Sequence, residues 1–203
     1  MVTDSPELSR ALDISRATTG WLEDDEAREL YRHVLDTGQL GPTLEIGSWH
    51  GKSTVILATA ARIVGTRVHS VDPHEGINYW QDETAPMPEL GPSFADFERN
   101  LAEAGAGDVV AIHIMTSRDA FAAMGSASRF GFVFIDGNHG YQHVKSDFES
   151  WFTCLEPGGV IALHDSNTRM PGPRRVIAEV RERGDVEYLS LVGQLTSFRK
   201  TMP

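Results

Sequence analysis

Two aspartates are the side chains of this chain best placed for metal or acid–base chemistry. Asp136 follows the apolar run 129–135, and Asp165 comes shortly after the apolar run 160–163. Such runs are typical of parallel strands buried on both faces, and neighbouring strands lie ~4.8 Å apart. Two unpaired carboxylates that close would repel, which favours a divalent cation between them or a raised pKa on one. The alternative is structural: Asp136 caps the following helix and Asp165 orders a loop.

A histidine three residues after Asp136 is a candidate catalytic base. The imidazole of His139 has an ordinary pKa near 6.5, so it could accept a proton from an alcohol at neutral pH. A role as a partner that only orients Asp136 stays equally open. His143 follows four residues later, and we interpret it as a solvated helix residue.

A glycine-containing loop at 45–51, with the sequence EIGSWHG, predicts a cofactor site. A P-loop needs four residues between its first glycine and Gly-Lys, whereas this loop has three, and a dinucleotide fingerprint needs another glycine. The pattern acid-x-Gly-x-x-x-Gly fits every fixed position and resembles the first motif of class I S-adenosylmethionine-dependent methyltransferases. The cofactor-binding residues predicted here are Glu45, Gly47, Ser48, Trp49, Gly51 and Ser53.

Two further turns complete the predicted adenosine site. Asp72 ends the second predicted strand, where an acid holds the ribose hydroxyls in doubly wound folds. Ser117 and Arg118 lie in the turn after the third strand, which we expect to lie against the adenine. Asp136, at the end of the fourth strand, is counted with these cofactor-binding residues as well.

The elements that must position these residues alternate along the chain. After an arm or short helix at 1–20, hydrophobic periodicity predicts a helix at 22–37 and then strand–helix repeats. The predicted strands lie at 43–46, 66–72, 109–114, 129–135, 160–163, about 186–192 and 195–199. The following helices are predicted at about 51–63, 93–105, 117–124, 144–155 and 174–183. The fold class predicted is α/β: a Rossmann-like, doubly wound seven-stranded sheet, mostly parallel with an antiparallel last strand.

The chain is predicted to form one domain over residues 1–203, with an N-terminal arm and helix at 1–40. The segment 74–92 is long for a loop within a domain and carries Tyr79 and Trp80. We interpret it as a lid over the substrate, and a subunit contact is the alternative, which leaves room for a homodimer.

Composition excludes several classes of function. The formal charge of −11 argues against nucleic acid as a partner, because a phosphate backbone requires a basic face. No apolar run approaches the ~20 residues of a membrane span, and no secretory signal is visible. Cys154 is the only cysteine of the sequence. We therefore expect a cytoplasmic protein that acts on a small molecule.

Three later segments strengthen the resemblance to class I methyltransferases, which then covers about residues 40–200. They read IDGNHGY at 135–141, LEPGGVIALHD at 155–165 and GPRRV at 172–176. They are similar to the branch of small-molecule and sugar O-methyltransferases, with catechol-type enzymes as distant relatives. The catechol-type enzymes have a lysine at the position of His139. The resemblance implies methylation of a hydroxyl on a sugar or natural product, with S-adenosylmethionine as cofactor.

The resemblance also implies a metal, since related O-methyltransferases bind Mg²⁺ at the positions of Asp136 and Asp165. Their third ligand is usually an acid just before the second aspartate, or an Asp or Asn just after it. Here the neighbours are His164 and Ser166, and a histidine ligand would favour Mn²⁺, Fe²⁺ or Zn²⁺ over Mg²⁺. The alternative functions are a non-catalytic adenosine-nucleotide-binding domain and a P-loop-type phosphotransferase that uses Lys52.

Overall fold

The structure, a computed structural model, describes residues 4–76, 92–167 and 170–201. In these ranges the helices are α1 (Pro6–Ala17), α2 (Asp24–Thr37), α3 (Lys52–Val64), α4 (Phe94–Ala104), α5 (Ser117–Met124), α6 (Tyr141–Cys154) and α7 (Pro171–Arg181). The strands are β1 (Thr43–Ile46), β2 (Val68–Val71), β3 (Val110–His113), β4 (Phe130–Ile135), β5 (Leu155–Leu163), β6 (Val186–Val192) and β7 (Leu195–Lys200).

The strands form one seven-stranded sheet in the order β3-β2-β1-β4-β5-β7-β6. The first five strands of the chain run parallel to one another, whereas β7 runs antiparallel to both β5 and β6. This confirms the predicted α/β class and sheet. The strand order reverses between β1 and β4, and ligands bind at such a switch point in open α/β sheets.

Helices cover both faces of the sheet. The first four helices share one buried cluster with Phe132 and Phe134, and α6 and α7 share the other with Val133 and Ile135. All six residues of β4 are buried, because successive side chains enter opposite layers. The N-terminal segment forms a short helix, one of its two predicted forms, and Leu12 of that helix is buried.

Three elements begin three or more residues before the sequence-based expectation, and one of them is α6, which begins at Tyr141 rather than 144. β5 begins at Leu155 rather than 160, because Leu155 pairs with Phe130 ahead of a register shift in the ladder. α7 begins at Pro171 rather than 174, and proline is favoured in a first helical turn because its φ is already helical.

The predicted lid at 74–92 lies mostly outside the described residues, because these leave out 77–91. Tyr79 and Trp80 fall in that gap. The two ends of that segment meet: His74 Nδ1 hydrogen-bonds Ser93 Oγ at 2.9 Å, and Ser93 N donates to the His74 carbonyl at 3.3 Å.

In the part of the chain that the structure describes, no helix is long and apolar enough to cross a membrane.

The sharpest steric constraint in the glycine loop lies at Gly47, directly after β1. A Cβ there would lie 2.3 Å from the Asp136 carbonyl oxygen, and its φ is +87°. Gly65, after α3, has a similar φ of +72°, but a Cβ at that position would meet no atom within 4 Å. The two glycines therefore share a backbone preference and differ in steric crowding.

We expect Gly65→Ala to lower the free energy of unfolding by about 1–2 kcal/mol, because of its left-handed backbone. Gly47→Ala should lower the free energy of unfolding by about 1–3 kcal/mol more than Gly65→Ala, since the methyl group must displace the backbone that follows β4. Urea unfolding followed by circular dichroism measures both. Equal losses in the two variants would contradict this account of the close approach between β1 and β4.

Candidate active site

The carboxyl ends of β1, β2, β4 and β5 open into one cavity of about 770 Å³. Its walls include residues 47–50 of the glycine loop, Asp72, Ser117, Asp136 and Asp165, whereas Gly51 is not among the lining residues. These predicted residues lie together because parallel strands in register end at one edge of the sheet. The volume is in the range of small-molecule sites.

The glycine loop is held by Asp72. The amides of Ser48 and Trp49 donate to Asp72 Oδ2 at 2.9 and 2.8 Å, and the amide of His74 donates to Oδ1 at 2.7 Å. Trp49 has a positive φ of 43°, which is uncommon for a bulky residue. Asp72 therefore lines the cavity and also fixes the strained loop beside it.

Two buried polar atoms of this loop have no hydrogen-bond partner among the described residues. They are Ser48 Oγ and Trp49 Nε1, and both residues line the cavity. Leaving such a group unpaired costs about 1–3 kcal/mol. A ligand with acceptor atoms would remove that cost, so the loop fits a polar cofactor such as S-adenosylmethionine.

Glu45, predicted as a cofactor-binding residue, lies behind the loop and is fully buried. Its carboxylate accepts hydrogen bonds from the hydroxyls of Ser53, Thr54 and Ser70, at 2.6, 2.6 and 3.1 Å. Burial raises the pKa of Glu45 to about 7, although these hydroxyls oppose the shift. Glu45 thus ties β1 to α3 and β2, and the Ser53 hydroxyl points to it even though Ser53 borders the cavity.

The wall beside Ser117 contains a carboxylate that the sequence analysis missed. Ser117 Oγ donates to Asp147 Oδ1 at 2.5 Å and accepts from Trp151 Nε1 at 2.9 Å. Asp147 borders the cavity, and burial raises its pKa to about 6. A signal was present, because Asp147 is the polar member of a helix face that includes Val144 and Trp151. Arg118 is exposed at the cavity rim.

Asp136, His139 and Asp165 form a cluster, and one potential ligand atom of each lies within 4.8 Å of the others. His139 Nε2 lies 2.5 Å from Asp165 Oδ2 and 3.8 Å from Asp136 Oδ1. Asp165 adopts a φ of +56°, a region that aspartate and asparagine tolerate best among non-glycine residues. The donor set of two carboxylates and one imidazole suits a divalent cation.

His164, predicted as a metal ligand, lies beneath the two aspartates. Its Nδ1 is 3.4 Å from Asp136 Oδ1 and 3.8 Å from Asp165 Oδ2. Its Nε2 is 3.3 Å from Oε2 of Glu26, a residue that the sequence analysis missed. Glu26 lies in the acidic first turn of α2, which in sequence looks like an ordinary helix start. The neighbouring Ser166 hydroxyl donates to the Gln194 carbonyl at 2.7 Å.

The charges of this cluster compensate one another. Burial by itself lowers the pKa of both histidines, but Asp136 and Asp165 outweigh it and raise the pKa of His139 to about 9 and of His164 to about 12. Burial raises the pKa of Asp165, but the two histidines more than reverse this and hold it below its usual range. With no cation bound, His139 is therefore protonated at neutral pH, which does not suit a general base.

Lys52, the lysine that a P-loop would use, points towards α1. Its Nζ donates to the carbonyl oxygens of Ser15 and Thr18, at 2.7 and 3.2 Å. The ammonium group thus caps the end of α1. This placement argues against a phosphate-binding role.

A family model described as a methyltransferase domain matches residues 44–166. The match spans more than half of the chain, and the chain belongs to this family. This agrees with the resemblance to methyltransferases seen in its motifs.

Solved structures share the whole fold at low sequence identity. The O-methyltransferase TomG of Streptomyces achromogenes, involved in tomaymycin synthesis and solved with S-adenosylmethionine, is 21% identical with a TM-score of 0.68, covering 100% of this chain and 92% of its own. An O-methyltransferase of Bacillus cereus in complex with S-adenosylhomocysteine is 20% identical with a TM-score of 0.67, covering 98% and 93%. The O-methyltransferase NovP is 16% identical with a TM-score of 0.72, covering 88% and 81%.

A curated relative matches only a short stretch. The uncharacterized protein y4gI of Sinorhizobium fredii is 45% identical over 38 residues, which are 19% of this chain and 4% of that protein. The chain thus spans a small part of that relative.

The raised pKa of Glu45 makes the stability depend on pH. Because its folded-state pKa of about 7 exceeds the ordinary 4.5, its stabilising effect is complete below pH 4.5 and is lost as the pH rises through 7. We expect the free energy of unfolding to fall between pH 5 and 8 by up to about 3 kcal/mol more in the wild type than in Glu45→Gln. Urea unfolding at both pH values tests this, with the exposed Glu103→Gln as control. A wild-type pH dependence shared by Glu45→Gln would contradict it.

Proposed function

We propose that this enzyme transfers the methyl group of S-adenosylmethionine to a hydroxyl group of a small molecule. The observation that carries this proposal is that the glycine loop and the Asp136–His139–Asp165 cluster border one cavity. A cofactor bound by the loop would hold its sulfonium near side chains that can activate an alcohol. The solved relatives of this fold include several O-methyltransferases, which supports an oxygen acceptor.

The adenosine part is proposed to lie between the loop 47–51 and Ser117. Asp72 accepts three backbone hydrogen bonds, and a carboxylate has about four acceptor positions, so one remains for a ribose hydroxyl. Ser48 Oγ and Trp49 Nε1 offer donors to the polar end of the cofactor. Asp147, held by Ser117, supplies a buried acceptor on the adenine side.

Methyl transfer is an in-line displacement in which positioning supplies much of the rate. The acceptor oxygen attacks the methyl carbon, and the carbon–sulfur bond breaks with its electron pair left on sulfur. The hydroxyl proton must leave to the carboxylate–imidazole cluster or to water. When bound at Asp136, His139 and Asp165, a divalent cation would lower the pKa of the hydroxyl. In its absence, His139 Nε2 could accept the proton only in the fraction of enzyme whose imidazole is unprotonated, and this fraction grows as the pH rises towards the His139 pKa of about 9.

The acceptor is proposed to have a ring-shaped or partly apolar face, as a sugar or natural product does. Trp21 and Trp49 are stacked at the cavity with ring centroids 5.4 Å apart and an interplanar angle of 4°. Trp21 is 61% exposed, an unusual state for so large an apolar side chain. Its exposed ring offers contact area for such an acceptor.

Cofactor binding gives the first test. S-adenosylmethionine should raise the melting temperature and ATP with Mg²⁺ should not, because the loop suits adenosine and Lys52 is engaged elsewhere. Asp72→Asn should weaken S-adenosylmethionine binding by about 1.5–3 kcal/mol, since it removes a charged acceptor. Calorimetry measures this, and Asp36→Asn on the exposed face of α2 is the control. Stabilisation by ATP alone would refute the proposal.

Metal removal gives the second test. EDTA followed by dialysis should abolish turnover and leave S-adenosylmethionine affinity nearly unchanged, because the cluster serves the acceptor side. Asp165→Asn should lower kcat by about 100-fold or more with the same intact affinity. Asparagine tolerates the positive φ of this position, which limits misfolding.

The opposite outcome would identify the other way of activating the hydroxyl. If turnover survives EDTA and is lost in His139→Ala, His139 accepts the proton and no cation is needed. If both treatments leave turnover intact, the cluster has no part in methyl transfer.

A further inference from the structure

Glu26 is a buried carboxylate that connects helix α2 to the candidate active site. Its side chain is 1% exposed. Oε1 accepts from the Gln194 amide at 2.6 Å, while Oε2 accepts from the Glu23 amide at 2.8 Å and lies 3.3 Å from His164 Nε2. A backbone amide thus holds each carboxylate oxygen of Glu26 and fixes the side chain where it contacts His164.

The ring of His164 is held in one orientation. Its side chain is 2% exposed, and its amide donates to the Ile135 carbonyl at 3.0 Å, which fixes the backbone against β4. The ring of Phe134 packs edge-on against it, with centroids 6.3 Å apart at 78°. With Nε2 directed at Glu26, Nδ1 faces Asp136 and Asp165.

The contact with Glu26 sets the tautomer. An ionised carboxylate only accepts hydrogen bonds, so Nε2 keeps its hydrogen, and a cation that binds this ring takes the place of the Nδ1 proton. Histidines that bind metals are commonly oriented in this way, by donating the other ring N–H to a carboxylate. Glu26 and His164 have the same arrangement.

The distances around Nδ1 suit a shared ion. Two ligands at ~2.0–2.1 Å from a tetrahedral ion lie about 3.3–3.4 Å from each other. His164 Nδ1 is 3.4 Å from Asp136 Oδ1 and 3.8 Å from Asp165 Oδ2, and His139 Nε2 is 3.8 Å from Asp136 Oδ1. The pair His139–Asp165, at 2.5 Å, would have to separate. His164 Nδ1 and His139 Nε2 thus each lie within 3.8 Å of an oxygen of both Asp136 and Asp165.

We infer that Glu26 and His164 act as one unit that presents a nitrogen ligand, so that the site selects imidazole-binding divalent ions such as Co²⁺, Mn²⁺ or Zn²⁺ over Mg²⁺. Mg²⁺ prefers oxygen ligands, whereas imidazole suits the transition ions. The inference rests on the proposed function, because it concerns the ion at the same cluster. Glu26 is a positioning residue that acts through His164.

The test measures ion binding to metal-free full-length protein, independently of turnover. Co²⁺ titration followed by visible absorption should give bands of nitrogen-ligated Co²⁺, and calorimetry should show Co²⁺ bound at least about tenfold more tightly than Mg²⁺. Glu26→Ala should weaken Co²⁺ binding by about 10–100-fold, and Glu26→Gln, which retains an acceptor oxygen, by less. His164→Asp should shift the preference towards Mg²⁺.

Glu29→Gln is the matched control. It lies one turn further along α2 and contacts His33 at 3.3 Å, so it removes a similar carboxylate–histidine contact away from the cluster. It should leave Co²⁺ binding unchanged. Thermal unfolding of each variant checks folding, and if Glu26→Ala does not fold, Glu26→Gln and His164→Asp still decide the outcome.

Three results would overturn the inference: no ion binding, Mg²⁺ bound as tightly as Co²⁺ in the wild type, or Co²⁺ affinity unaffected by the changes at Glu26 and His164. S-adenosylmethionine binding, measured on the same metal-free samples, separates this failure from failure of the proposed function. Retained cofactor binding with no ion selectivity rejects only the inference. If the wild type does not bind S-adenosylmethionine, the proposed function is rejected.

Discussion

The parallel register of three central strands is the constraint on which the site depends. Ile46 of β1 pairs with Ile135 of β4, which pairs with Leu163 of β5, so these strands end at one level. The residues that follow them, Gly47, Asp136 and His164, therefore emerge at the same edge. A shift of this register would separate the glycine loop from the Asp136–His139–Asp165 cluster. The apolar layers on both sides of the sheet stabilise the register and thus fix the positions of the side chains at its carboxyl edge.

The acids at this edge of the sheet are compensated in different ways. Glu45 accepts three hydroxyl hydrogen bonds, Asp72 accepts three backbone amides, and Asp136 and Asp165 lie against imidazoles. Hydroxyl donors leave the pKa of Glu45 raised, whereas histidines hold that of Asp165 low. At the same edge of the sheet, the Glu45 carboxyl therefore titrates near neutral pH, whereas the Asp165 carboxyl stays ionised.

Part of the site was predictable because it follows from local rules. The glycine loop, Asp72 at the end of β2, and Asp136 and Asp165 beyond neighbouring strands were all placed from strand ends and spacing. Glu45 was expected to face the cofactor, but adjacent residues of a strand point to opposite sides, and the burial of its carboxylate depends on α3 and β2. Glu26 and Asp147 were missed because each lies in a helix distant in sequence from the residue that it contacts.

The sequence by itself determined the α/β class, the succession of strands and helices and the family, since alternating apolar runs and glycine turns encode these locally. Only the tertiary structure decided which side chains meet. His164 could be placed beside Asp165 from sequence, but its orientation depends on Glu26, 138 positions away. From the sequence, only the loop spacing argued against Lys52 as a phosphate ligand, and the structure adds its contacts with α1. Hydrophobic periodicity reports how an element is buried, whereas the partner of a buried polar group is set by long-range packing.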